Sequence, residues 1–102
     1  MFLLNDGTVK GCGYNSYGQL GLGNITVQKN IVDIPISNVK KITSSGDTNI
    51  YLLNDNTAKG CGKNSTYSLG VGFVQNVSSI TTIPLNNIKD ISNVCSYIIY
   101  IK

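Results

Sequence analysis

Residues 3–13 read LLNDGTVKGCG and residues 52–62 read LLNDNTAKGCG, so nearly the same stretch occurs twice, 49 residues apart. The offset continues without a gap through the rest of the sequence and gives 22 identical positions, including the pairs Ile34-Pro35 and Ile83-Pro84. A fixed period of this length indicates a repeat architecture. We therefore divide the chain into a first repeat at residues 1–50 and a second repeat, with the start of a third strand copy, at residues 51–102.

Each repeat is predicted to hold about four short β-strands and no helix. The turn residues Asn54-Asp55-Asn56 separate two β-like runs, which predicts a tight hairpin. Asn5-Asp6-Gly7 is its counterpart, and Asp-Gly is favoured where both turn residues need positive φ. The β-like segments are Ile50–Leu53, Thr57–Cys61, Ile31–Ile36, which Pro35 interrupts, and Val39–Thr43. Four strands per repeat predict an all-β fold with two four-stranded antiparallel blades of a β-propeller, completed by further blades or by oligomerisation.

The composition excludes several classes of protein. With 41% hydrophobic and 13% charged residues, the chain is expected to pack rather than to be disordered. The net charge is +3, but only Lys40 and Lys41 are adjacent, so no basic patch for nucleic acid is expected. No stretch approaches the roughly 20 apolar residues of a membrane span, and no signal peptide is recognised, so we expect a cytoplasmic protein.

Few residues suited to catalysis or to metal binding are present. The chain has no His, Arg, Glu or Trp. Cys12, Cys61 and Cys95 form no CxxC pair and are interpreted as small buried apolar residues, so no disulfide, metal or cofactor is expected. Asp6 and Asp55 are repeat-equivalent and could form a carboxylate pair, but turn aspartates normally bind their own backbone. We assign no catalytic, cofactor-binding or metal-binding residue and predict that the chain is not an enzyme.

The Gly-rich segment of the first repeat resembles a known family. Residues 11–23, GCGYNSYGQLGLG, are similar to the signature of the regulator of chromosome condensation repeat, with Cys12 in place of its usual Trp. The second copy keeps Asn64 and, in its latter half, residues 69–72, LGVG. Where the family commonly has a His, at the end of residues 46–49, the chain reads GDTN. A kelch propeller has a similar repeat length, but its usual Gly-Gly pair is absent, so it ranks second.

The resemblance implies a propeller that binds other proteins. The family typically has seven blades, and its founding member promotes nucleotide exchange and docks on chromatin; neither activity maps onto particular residues here. Gly18, Gly21 and Gly23 are interpreted as backbone glycines of the scaffold, with Leu20 and Leu69 anchoring the loop between blades. A dinucleotide-binding loop is rejected because Ser16 and Thr26 stand where its third Gly would be and no helix follows.

The function predicted from the sequence is a non-catalytic protein–protein interaction module that forms part of a larger or oligomeric propeller. Two blades alone would leave apolar sheet faces exposed, which is why further blades or a homo-oligomer are expected. The alternatives are a regulator of nucleotide exchange on a GTPase and a self-assembling structural protein. The partner and the residues that bind it are not identified, although the tyrosines are candidate anchors: Tyr14, Tyr17, Tyr51, Tyr67, Tyr97 and Tyr100. Of these, Tyr51 and Tyr100 are expected to pack in the core.

Overall fold

The computed structural model describes residues 1–45, 47–64, 69, 75–94 and 97–101. Every regular element of these residues is a β-strand, in agreement with the predicted all-β class. The strands are β1 (Phe2–Leu3), β2 (Val9–Gly13), β3 (Gln28–Ile34), β4 (Val39–Ser45), β5 (Thr48–Leu53), β6 (Ala58–Gly62), β7 (Val77–Thr82), β8 (Asp90–Val94) and β9 (Tyr97–Ile101).

The strands form three antiparallel sheets, each built from neighbours in sequence. Sheet I contains β1, β2 and β3, sheet II contains β4 to β7, and sheet III contains β8 and β9. Sheet II is thus a complete four-stranded antiparallel sheet of the kind predicted for a blade. The described strands are distributed as three, four and two rather than as two sets of four. The boundary that we drew between residues 50 and 51 falls inside β5.

The repeat is visible in the backbone as well as in the sequence. β2 and β3 of sheet I correspond to β6 and β7 of sheet II, and β4 and β5 correspond to β8 and β9 at the same offset of 49 residues. Positive φ recurs at equivalent positions, for example 101° at Gly13 and 108° at Gly62. The sequence repeat therefore describes a unit of backbone geometry, although the sheets begin at a different point in that unit.

The two hairpins differ in detail from the turn that the sequence predicts. Gly7 has φ of 83° and Asn56 has φ of 67°, but neither Asp6 nor Asp55 has a positive φ. The amide of Gly7 donates to the carbonyl of Leu4 at 3.0 Å, and the repeat-equivalent bond recurs in the second hairpin. The prediction of positive φ at both turn residues was therefore wrong. The loop is a three-residue type in which one left-handed residue follows a tight turn.

Two clusters of buried apolar side chains lie between adjacent sheets. β5 supplies both, because consecutive strand residues point to opposite faces. Ile50 and Leu52 belong to the cluster shared with sheet III, whereas Tyr51 and Leu53 belong to the cluster shared with sheet I. All six residues of β5 are buried, as expected for a strand that is covered on both faces.

Candidate protein-interaction surface

The loop between β2 and β3, residues 14–27, is fastened by one buried side chain. Asn15 is 1% exposed, and its Nδ2 donates to the carbonyls of Asn24 at 3.0 Å and Thr26 at 3.1 Å. Its Oδ1 accepts the amide of Leu20 at 2.9 Å. The side chain of Asn15 therefore joins the beginning, the middle and the end of the loop, which gives the loop a defined shape without regular secondary structure.

The second repeat uses the same device. Asn64 is fully buried, and its Oδ1 accepts the amide of Leu69 at 3.1 Å. In the sequence, Asn15 and Asn64 are recognisable only as repeated positions without an assigned role. The sequence feature that could have predicted this role is an Asn that recurs at the repeat offset in a Gly-rich segment. In a loop, the side chain of Asn can form the hydrogen bonds that backbone groups otherwise form in a helix or sheet.

The loop of sheet I packs against sheet II. Leu20 is 3% exposed and lies in the cluster between the sheets, and Leu69 is fully buried, so the predicted anchoring of both leucines is confirmed. Gly18 has φ of 77°, and a Cβ there would lie 2.3 Å from Cα of Ser78. The amide of Gly23 also donates to the carbonyl of Ser78 at 2.8 Å. Gly18 therefore permits a close approach of two backbones, and Gly23 supplies a positive φ of 81°, as the scaffold interpretation predicts.

Three large apolar side chains of this loop point into solvent. Tyr14 is 75% exposed, Ile25 is 65% exposed and Val27 is 49% exposed. Tyr14 precedes Asn15, and Ile25 and Val27 are next to the carbonyl groups that Asn15 binds, so all three residues lie where the two ends of the loop meet. We call these three residues the apolar loop surface. Exposed apolar side chains on a well-ordered loop are typical of sites that contact other proteins.

The candidate tyrosines separate into different environments. Tyr14 is exposed, whereas Tyr17 is partly buried with Nζ of Lys63 5.3 Å from the centre of its ring. Tyr51 is fully buried and lies in the core, as predicted. Tyr100 packs against the other cluster and is partly buried. Tyr67 lies outside the described residues, and so does the side chain of Tyr97.

A buried polar group lies under the loop. The carbonyl of Gln19 accepts Nδ2 of Asn49 at 2.5 Å and Sγ of Cys61 at 3.2 Å, and the hydroxyl of Tyr51 lies 3.8 Å from the same sulfur. Burial raises the pKa of the Cys61 thiol to about 12 and also raises the pKa of Tyr51. Both groups are therefore protonated at neutral pH, and Cys61 is held as a packed, unreactive thiol.

The three cysteines do not share one environment. Cys61 is buried as predicted, but its repeat-equivalent Cys12 is exposed, so the prediction of a buried Cys12 was wrong. Cys61 is covered by the loop of sheet I and by β5, whereas only part of β2 has a strand beside it in the position of β5. Cys95 lies outside the described residues.

The aspartates of the hairpins bind their own turns. In each hairpin the carboxylate accepts both the amide and the hydroxyl of the Thr two residues later, Thr8 for Asp6 and Thr57 for Asp55. These bonds to the Thr side chain and backbone lower the pKa of both carboxyls. Such aspartates stabilise turns, which is the structural interpretation favoured by the sequence. Over the described residues, no group of three or more His, Cys, Asp or Glu could hold a metal ion, and no helix could span a membrane.

A family model described as the regulator of chromosome condensation (RCC1) repeat matches residues 1–19. No curated protein matches the chain. Among solved structures, human WBSCR16 matches with a TM-score of 0.77 and 22% identity, covering 92% of this chain and 25% of that chain. Prp20p from Saccharomyces cerevisiae matches with a TM-score of 0.74 and 18% identity, covering 94% of this chain and 26% of that chain. The structure of Kap60 bound to yeast RCC1 (Prp20) matches with a TM-score of 0.66 and 20% identity, covering 86% of this chain and 22% of that chain.

These comparisons confirm the resemblance that residues 11–23 predicted, and they give the chain the fold of RCC1-type propeller repeats. The chain spans about a quarter of the length of the solved structures that it matches. At 18–22% identity the likeness establishes the fold, and the function has to be argued from the surface of this chain.

Proposed function

We propose that this chain is a non-catalytic protein-binding module of a larger or oligomeric propeller, and that its partner is bound by the apolar loop surface. The observation that carries the proposal is the combination of a loop fixed by the buried Asn15 with a Tyr14 side chain that is 75% exposed. A loop that is already ordered loses little conformational entropy when it binds, so more of its contact energy contributes to affinity.

The chemistry of the loop favours a protein partner. Tyrosine contributes a large amphipathic area and is enriched at the centres of interfaces, where a few residues carry most of the binding energy. Ile25 and Val27 add apolar area beside it. The similar structures fit this class of partner, since Prp20p is described with binding to Gsp1p and histones and yeast RCC1 is bound to Kap60.

The candidate catalytic groups support a role without chemistry of its own. The chain contains no His, Arg or Glu, which removes the usual general bases and anion clamps. The carboxylates of Asp6 and Asp55 are engaged by threonines, and Cys61 is buried beneath Tyr51. Each group is explained by packing or by a turn.

The experiment is capture from the native extract, followed by affinity measurements with the purified partner. We expect Tyr14→Ala to weaken binding at least tenfold, which corresponds to about 1.4 kcal/mol. The single variant Ile25→Ser should also weaken binding of the partner. Leu4→Ser is the matched control, because Leu4 is also an exposed apolar residue but lies in the hairpin between β1 and β2, at the other end of sheet I. Equal affinities for Tyr14→Ala and Leu4→Ser would reject the proposed surface.

A second candidate function is the promotion of nucleotide exchange on a GTPase, which the match of residues 1–19 to the RCC1 repeat favours. Release of a fluorescent guanine nucleotide from purified GTPases, with and without the chain, tests it directly. If the chain accelerates nucleotide release and Tyr14→Ala abolishes the acceleration, the partner of the apolar loop surface is the GTPase itself. No acceleration with any GTPase of a panel would remove this candidate and leave the binding proposal intact.

A further inference from the structure

One edge of sheet I is only partly covered. β1 pairs with Val9 and Lys10 of β2 and then ends, so Gly11–Gly13 has no strand beside it on that edge within the described residues. In sheet II, β5 covers the equivalent strand β6 over all of Ala58–Gly62. An open strand edge is a template for pairing with another chain. We propose that this edge of β2 receives β9 of a second copy, so that β8 and β9 of one copy complete a four-stranded sheet with β2 and β3 of the next.

The internal repeat fixes the register of this pairing. Residues 48–52 of β5 lie antiparallel to residues 62–58 of β6. Residues 97–101 of β9 and residues 13–9 of β2 are the same positions at the offset of 49. Transferring the observed register places Ile98 of one copy opposite Cys12 of the next, as Asn49 lies opposite Cys61.

Two side chains lack the contact that their repeat equivalents make. The hydroxyl of Tyr51 lies 3.8 Å from Sγ of Cys61. The equivalent hydroxyl, that of Tyr100, is buried and has no hydrogen-bond partner among the described residues. The equivalent thiol, that of Cys12, is exposed. A buried unpartnered hydroxyl is unfavourable, and the proposed pairing would bring Tyr100 of one copy to Cys12 of the next.

The part of this edge beside Gly13, beyond β1, is open. A Cβ on Gly62 would lie 2.2 Å from the carbonyl oxygen of Asp47, at the corner between β4 and β5. At the equivalent Gly13 a Cβ would meet nothing within 4 Å. A groove of about 300 Å³ opens here, and Met1, Cys12, Tyr14 and Ser44 are among the residues that line it. The same Cβ on Gly62 would lie 3.1 Å from Cα of Thr48, and the repeat equivalent of Thr48 is Tyr97, the first residue of β9.

β1 has to leave its position for β9 to bind. β1 contributes two residue pairs to the edge of β2, and its Phe2 and Leu3 are 48% and 40% exposed. β9 would contribute five, as β5 does to β6. Without β1, the eight other strands of the described residues would supply two four-stranded sheets for each copy in the ring.

The charges favour a second copy of this chain as the occupant. Lys41 on β4 forms an ion pair with Asp90 on β8 of the neighbouring sheet, and these two residues are repeat-equivalent. In a head-to-tail ring, the sheet that carries Asp90 of one copy would stand next to the sheet that carries Lys41 of the next copy. This repeat position would therefore be occupied by Asp and Lys in turn from sheet to sheet. Opposite charges would meet at each junction, and like charges would be kept apart.

Head-to-tail contacts of this kind close into rings when the rotation permits. Propellers have roughly 4 to 8 blades, so a ring of two-blade copies would hold two to four chains. Light scattering on a sizing column should therefore give one discrete mass that is two to four times the 10.9 kDa of the chain. A monomer at every concentration, or open-ended growth of the mass with concentration, would overturn the proposal.

Disulfide trapping tests the register independently of the mass. We expect Ile98→Cys, made together with Cys95→Ser, to form intermolecular disulfides with Cys12 on mild oxidation, because directly opposed strand residues lie within disulfide range. Non-reducing gels should then show loss of the monomer band. Adding Cys12→Ser is the matched control and should restore the monomer. Equal cross-linking with and without Cys12 would overturn the register.

Gly13→Ala probes the open space at the edge of β2. We expect it to lower the assembled fraction, because its Cβ would meet the backbone at the start of β9 of the next copy, as a Cβ on Gly62 would meet Thr48. Gly23→Ala is the matched control for backbone strain, since Gly23 also has a positive φ, 81°, and a Cβ there would lie no closer than 3.5 Å to its neighbours. An equal assembled fraction for the two variants would contradict the proposed contact.

Discussion

At the residue scale, Asn15 is the single side chain on which the shape of the exposed loop depends. Asn15→Ala removes the acceptor for the amide of Leu20 and the donor to two carbonyls. Leaving such buried groups unsatisfied costs about 1–3 kcal/mol each. We expect urea unfolding to show a loss of at least about 2 kcal/mol for Asn15→Ala. The exposed Asn86→Ala should have almost no effect. Equal midpoints would show that the amide does not hold the loop.

The carboxylates of Asp6 and Asp55 should make the stability depend on pH in the acidic range. Their folded-state pKa values are lowered by bonds from Thr8 and Thr57. The stabilisation is therefore present above the unfolded pKa near 4 and is lost as the pH falls through the lower folded pKa. We expect the pair of changes Asp6→Asn and Asp55→Asn to flatten the fall in unfolding midpoint between about pH 5 and pH 2. An unchanged pH profile would contradict this role.

At the scale of elements, the sequence predicted much of what the repeat itself encodes. β3 ends at Ile34, immediately before Pro35, because proline cannot donate to the next ladder bond. The hairpins, the buried Leu20 and Leu69, and the four-strand unit follow from local signals that recur at the repeat offset.

The starting point of each sheet could not be predicted in the same way. A repeat pattern is unchanged when its starting point is moved, so it does not say which strand begins a sheet. The exposure of Cys12 was missed for a related reason. Cys12 and Cys61 have the same local sequence, and the difference lies in the strands and loops that pack on them. The role of Asn15 depends on contacts up to 11 residues away, which no local propensity encodes.

The corner between β4 and β5 provides a comparison of two equivalent glycines. Gly62→Ala places a Cβ 2.2 Å from the carbonyl of Asp47, whereas Gly13→Ala meets nothing within 4 Å. Their φ values, 108° and 101°, give both variants a similar backbone strain. In dilute, unassembled protein we therefore expect Gly62→Ala to be the less stable by about 1–3 kcal/mol in urea unfolding. An equal loss of unfolding free energy in the two variants would contradict a steric clash between the new Cβ and the carbonyl of Asp47.

At the scale of the whole molecule, the two open regions of sheet I have different consequences. The apolar loop surface lies at one end of the sheet and does not require a second copy in order to bind a partner. The edge of β2 lies alongside the strands and is completed by assembly. A variant of Ile25, which does not line the groove at the edge of β2, should therefore alter partner affinity without altering the mass, whereas Gly13→Ala should alter the mass first.

Assembly should also change the chemistry of one cysteine and leave its repeat equivalent unchanged. In a Cys95→Ser background at low protein concentration, we expect alkylation of the exposed Cys12 and almost none of Cys61, whose pKa is raised to about 12 by burial. As the concentration rises, β9 of a second copy should cover Cys12 and slow its alkylation towards the rate of Cys61. Mass spectrometry of the modified peptides measures both rates in one sample. Undiminished alkylation of Cys12 in a fraction that light scattering identifies as assembled would place the contact between copies somewhere other than the edge of β2.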